Sequence, residues 1–231
     1  MDSDNGVAVV PVWVEWGRIT RFLESARLAF ARERNLWASL DIESAEDVRI
    51  YAPTGQGGYR VALGQHLAAI QDEETLYASV LLHTYALVET AACDRLSADA
   101  RDFGGIEDWG ARLLATNGAS WDSVKEGVAG AVEVAVVRNA FAHGTRRIDQ
   151  SAENRLRAVG MDQPSAGDPV TMDHAVLKNS RARLRSLLHA GGFSRARPSP
   201  PPPEASTPLA ACLPSRTGLS MGTSGPSTPS V

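Results

Sequence analysis

Residues 72–96 read DEETLYASVLLHTYALVETAACDRL. Leu76, Val80, Leu81, Tyr85, Val88, Ala92 and Leu96 recur mainly every three or four positions, the period of an α-helix and not of a strand. Asp72 is placed to cap this helix, and Glu73 and Glu74 suit the positive end of its dipole. The stretch is apolar on more than one side, so it is expected at the centre of a helical bundle and not on its rim.

Working outward, Trp13 to Trp37 gives a long amphipathic first helix through Ile19, Phe22, Leu23, Ala26, Ala29, Phe30 and Trp37. Its charges, Arg18, Glu24, Arg27, Arg32 and Arg34, read as a solvated opposite face. Val48, Ile50 and Ala52 alternate, PTGQGG at 53–58 supplies turn chemistry, and Tyr59, Val61 and Leu63 alternate again. That pattern predicts a small β-hairpin over about 47–64. Beyond the central helix, the pattern predicts one at Ile106–Thr116 stopped by Asn117 and Gly118. Another is capped by Ser120 or Asp122, runs through Val128–Ala142 and is stopped by Gly144. Further helical segments follow at Asp149–Val159 and Asp173–Ala190. The expected fold class is an all-α bundle with one hairpin.

The last 34 of the 231 residues hold nine prolines, seven serines and four threonines but no aromatic residue, too little apolar surface to offset ordering entropy. The expected organisation is a helical domain at 1–193 and a disordered tail at 194–231. Pro200–Pro203 in that tail favours polyproline II, which suits a tether.

Hydrophobic content of 43% supports a packed core, and a net charge of -4 excludes a general polycation. The charge is unevenly spread: residues 1–137 carry 11 basic and 21 acidic side chains, whereas 138–197 carry 11 and 5. A local basic segment therefore begins at Arg138. Cys93 and Cys212 give no disulfide framework, and the Val7–Val14 run, broken by Pro11, is neither a signal peptide nor a membrane span. A reducing, cytoplasmic setting without membrane contact is expected.

Of the chemistries a motif would announce, several are missing. His66, His83, His143, His174 and His189 show no HxxxH or HExxH spacing and no nearby Cys pair, so neither a metal nor another cofactor is expected. The glycines of 54–58 lack the Lys-Ser/Thr of a phosphate loop, and no GxSxG occurs. His83 and His189, beside leucines, read as partly buried structural residues. Lys178, Arg181, Arg183 and Arg185 read as a solvated helix face, with RNA contact the lesser alternative.

The segment that stands out is AVVRNAFAHG at 135–144, where an apolar helix presents Arg138, Asn139 and His143 at its C-terminal end. This resembles the signature of the HEPN superfamily: an Arg, then four to six residues of which the first is polar, and then a His, and Arg138-Asn139-xxx-His143 matches it with the shortest spacer. Arg60 with His66 and Arg183 with His189 also fit the spacing, but Val61 and Leu184 stand where the family has a polar residue. Asp108-Trp109, Trp121 and the VVRNAFAHG string are similar to the RiboL-PSP-HEPN subgroup, and the likeness covers roughly residues 72–190.

At about 100° per residue, Arg138 and His143 point about 140° apart on one helix, whereas Asn139 and His143 share a face on which the amide could orient the imidazole. Convergence of the Arg with a His then needs unwinding toward Gly144 or a second copy of the motif. The family's usual dimer supplies the latter, so the resemblance implies a homodimer with the motifs facing each other.

The activity implied is metal-independent cleavage of single-stranded RNA by attack of a ribose 2'-OH on the adjacent phosphate. His143 would act as general acid and base, Arg138 as phosphate clamp and Asn139 as orienter, with Arg146 and Arg147 gripping flanking phosphates. A role as a toxin or in phage defence, with an antitoxin as partner, belongs to the same expectation. The alternative is a non-catalytic HEPN dimer that binds RNA or a nucleotide or serves as an interaction module. In purely structural terms, His143 would close the helix and Arg138 would pair with Glu133 or Glu89.

Overall fold

The computed structural model describes residues 12–40, 46–51, 60–98 and 104–193. The elements are α1 (Val12–Ala38), β1 (Arg49–Tyr51), β2 (Arg60–Ala62), α2 (Leu63–Gln71), α3 (Glu73–Leu96), α4 (Ile106–Ala115), a 3-10 turn (Trp121–Ser123), α5 (Gly127–Ala142), α6 (Gln150–Ala158) and α7 (His174–Ala190). The fold is all-α. All described residues belong to one unit, Met1–Arg195. The tail at 194–231 and the PTGQGG turn lie outside the described residues.

Helix α3 is the hub. It packs against α1, α4, α5 and α7, and Val80, Leu81, Val88 and Ala92 are wholly shielded from solvent. Although α3 is long and apolar enough to cross a membrane, half of that stretch is buried inside the bundle. Its start is fixed as the sequence implies: the Asp72 carboxylate accepts from the Thr75 backbone N–H at 3.1 Å. Asp149 and Asp173 cap α6 and α7 in the same way, accepting from Ala152 and Val176.

Three local expectations are corrected. Leu63 is not the end of a strand. The hairpin pairs Arg49 with Ala62 and Tyr51 with Arg60, and the chain then turns into α2, burying Leu63 and Ile70. Ala62 has no side chain to cap the helix, but Gln65 Oε1 accepts from the Ala62 N–H at 3.4 Å, and burial of Leu63 and Ile70 holds the boundary. Ser120 does cap, but only the 3-10 turn, and α5 begins later, at Gly127. Glu126 precedes it in the left-handed region at φ 61°, held by an ion pair to Arg183. Finally, Phe22 on α1 is exposed, and Trp16 together with Leu23 carries that helix's buried seam.

His83 and His189 are both exposed, contrary to the expectation of partial burial. His189 instead stacks on Trp13, with ring centroids 4.6 Å apart.

Candidate active site at the C-terminal end of α5

Helix α5 carries Val136, Asn139, Ala140 and His143 on one stripe, at positions i, i+3, i+4 and i+7. That stripe forms one wall of a pocket of about 370 Å³. The opposite wall is α6, through Ser151, Ala152 and Arg155, and the link between the helices contributes Thr145, Arg147 and Asp149. The shared face of Asn139 and His143 thus exists as an open groove.

The helix stays regular to its end. His143 caps it with φ -91° and ψ -1°, its N–H donating to the Asn139 carbonyl at 3.0 Å, and Gly144 follows at φ 68°. The left-handed position favours glycine, and no unwinding brings Arg138 toward His143. The link then runs beside 167–170: Val170 N–H donates to Arg146 O, and Ile148 N–H to Asp168 O. Thr145 Oγ1 lies 3.3 Å from the Ala140 carbonyl and closes the turn.

Arg138 does not line this groove. Its guanidinium carbon stands 5.0 Å from the centre of the Tyr85 ring on α3, and Nη1 donates to Asn139 Oδ1 at 2.8 Å. Its Nε is buried with no hydrogen-bond partner among the described residues. The salt bridges of the purely structural alternative are not formed among the described residues: Glu133 pairs with Arg183 at 2.7 Å, and no ion pair joins Glu89 to Arg138. Glu89 is nonetheless close enough to act electrostatically on the same ring. Burial pushes the Tyr85 phenol up, Glu89 adds to that, and the Arg138 charge opposes it.

The other arginines divide between the groove and its surroundings. Arg147 lines it, with Nη1 donating to the Gly167 carbonyl at 2.7 Å. Arg146 turns to Glu74 at 2.8 Å and lies over the Phe141 ring, outside the groove. Arg155, which sequence reading missed, lines the groove and grips Glu107 of α4 through Nε at 3.2 Å and Nη2 at 2.8 Å. Burial raises the Glu107 pKa, but the Arg155 hydrogen bonds and charge outweigh it and hold the carboxyl below its ordinary range.

The structure therefore gathers Asn139, His143 and Arg147 around one groove, and holds Arg138 on an adjacent face through its bond to Asn139. Nothing local in the sequence announces Arg155, because its partner lies 48 residues away. No cluster of three His, Cys, Asp or Glu side chains fit to hold a metal occurs among the described residues. No protein-family model matches the chain, and no curated protein and no solved structure matches it.

Proposed function

We propose that the chain is a metal-independent endoribonuclease that acts as a homodimer on single-stranded RNA. The observation that carries this reading is the electrostatic state of Arg138. Arg146, Arg155 and Arg183 each meet a carboxylate, whereas the part-buried Arg138 charge rests on an aromatic face and an amide. A guanidinium fixed in direction but not neutralised is suited to a phosphate oxygen.

In the proposed reaction the 2'-oxygen forms a bond to phosphorus as the bond from phosphorus to the 5'-oxygen breaks. The imidazole of His143 takes the 2'-OH proton and returns one to the departing 5'-oxygen, leaving a cyclic phosphate and a 5'-OH. Because Arg138 and His143 occupy different faces of α5, the Arg of one copy would meet the His of the other. Arg147 would hold a flanking phosphate.

The test uses end-labelled mixed-sequence RNA in EDTA with wild type, Arg138→Ala, His143→Ala and an equimolar mixture of the two variants. Cyclic-phosphate ends from wild type, none from either variant, and partial recovery in the mixture are the expected results. A second reading, a dimer that binds RNA or a nucleotide without cutting, is favoured by the geometry of Asn139, whose Oδ1 accepts from Arg138 and whose amide makes no hydrogen bond to His143 among the described residues. RNA retention without cleavage by folded, dimeric protein would establish that reading in place of the first.

A further inference from the structure

Helix α7 uses two faces. Arg183 turns to α5, where it meets Glu126 and Glu133, while Arg181 turns to α1, where Nη2 donates to Thr20 Oγ1 at 2.7 Å. Lys178, Arg181 and Arg185, at i, i+3 and i+7, form a cationic stripe on this second face. They line a pocket of about 420 Å³ between α1 and α7, with Thr20, Glu24 and His174 among its other polar groups and Leu23 and Leu177 in its wall.

Two features distinguish this from a solvated face. Arg181 and Arg185 both lie over the buried Trp16 indole, with guanidinium carbons 4.8 and 5.2 Å from its centre. Thr20 is locked in turn, donating to the Trp16 carbonyl at 2.9 Å. The arginines are therefore positioned before any ligand arrives. Arg181 also has no carboxylate partner within 4 Å among the described residues. Burial, and then the neighbouring Arg185 charge, make its protonated state more costly than in water, with Glu24 only partly compensating. Glu24 itself pairs with Arg27 at 3.5 Å.

We propose that the α1/α7 pocket is a binding site for a small phosphate monoester, separate from the groove on α5. The lining side chains Lys178, Arg181, Arg185 and Glu24 carry a formal net charge of +2, of opposite sign to the roughly -1.5 to -2 of a phosphomonoester near pH 7. Three cationic side chains can each meet one of the three terminal oxygens of a phosphomonoester, whereas a carboxylate offers only two. Ala182 and the methylene stems of Lys178 and Arg185 offer the organic part an apolar surface, and the volume falls in the range of small-molecule sites, about 300–1,000 Å³. This site does not depend on RNA cleavage.

The experiment is calorimetric titration of the full chain at fixed ionic strength with phenyl phosphate, inorganic phosphate, benzoate and a short single-stranded RNA. Wild type, Lys178→Ala, Arg181→Gln and His143→Ala are compared. Phenyl phosphate is expected to bind saturably, about tenfold tighter than inorganic phosphate, and benzoate not measurably. Lys178→Ala and Arg181→Gln should each weaken phenyl phosphate at least tenfold while His143→Ala leaves it unchanged. Lys178 is exposed, so its variant decides the matter if Arg181→Gln does not fold. Equal affinity for the two phosphates, equal binding of benzoate, indifference to Lys178→Ala, or binding of RNA alone would each overturn the proposal.

Discussion

Arg138 and Asn139, neighbours in sequence, are joined side chain to side chain, Nη1 to Oδ1 at 2.8 Å. Adjacent helical positions point about 100° apart, so only a side chain as long as arginine reaches back to make this contact. The Asn Oδ1 is thereby engaged by the guanidinium, and no hydrogen bond joins the Asn amide to the imidazole one turn later among the described residues. The role of Asn139 becomes that of fixing Arg138 over Tyr85. A double-mutant cycle in urea unfolding should give a coupling of about 1 kcal/mol between Arg138→Ala and Asn139→Ala, and none between Asn139→Ala and His143→Ala. Coupling in the second pair alone would return the Asn to the histidine.

The helix carrying the motif is seated through a glycine. A Cβ at Gly110 on α4 would come within 2.5 Å of the Trp121 ring, in the turn that leads into α5. Gly110→Ala should destabilise by about 1–3 kcal/mol through overpacking, measured as a fall in urea midpoint at constant m-value. Gly118, by contrast, is in open space at φ 64°, so Gly118→Ala should cost only left-handed strain, about 1 kcal/mol.

Acid stability should report the bridge between α4 and α6. The Glu107 carboxyl titrates below its ordinary value in the folded chain, so the unfolded state binds the proton more readily. The stabilisation is therefore complete above the unfolded glutamate pKa of about 4.3 and is lost as pH falls through the lower folded value. Glu126 and Glu73 shift the same way, Glu126 chiefly through its hydrogen bond from Arg183 and Glu73 through that from Tyr77. Glu107→Gln should flatten the acid limb of a stability–pH profile below about pH 4.3, the unfolded glutamate value, without changing the slope above pH 6. An unchanged acid limb would mean that Arg155 does not hold Glu107 in solution.

Much of this arrangement was legible in the sequence for local reasons. Asp72, Asp149 and Asp173 mark helix starts because a short carboxylate reaches its own helix's N–H groups, and Gly144 marks a stop because of its φ. The face shared by Asn139 and His143 follows from a four-residue spacing alone. What stayed hidden is set by distant partners. Leu63 enters a helix because packing, not alternation, claims it. Arg138 finds Tyr85 across 53 positions, and Arg155 finds Glu107 across 48. The α7 run read as one solvated face, but Arg183 serves α5 and Arg181 serves α1.

Arg146 and Arg147 are adjacent, equally charged and both exposed, yet the structure separates their roles. The Arg146 charge is met by Glu74 at 2.8 Å, while Arg147 lines the groove beside His143 with its hydrogen bond to a neutral carbonyl. If RNA occupies that groove, Arg147→Ala should weaken binding several-fold and reduce the slope of log K against log salt by about 1, since one phosphate contact is lost. Arg146→Ala should leave the slope unchanged and cost stability by only about 0.2–1 kcal/mol, the usual worth of an exposed ion pair. Fluorescence anisotropy of a labelled oligonucleotide at several salt concentrations measures both. Equal loss in the two variants would show that RNA senses the summed charge of the segment, and the groove would then have no privileged place in recognition.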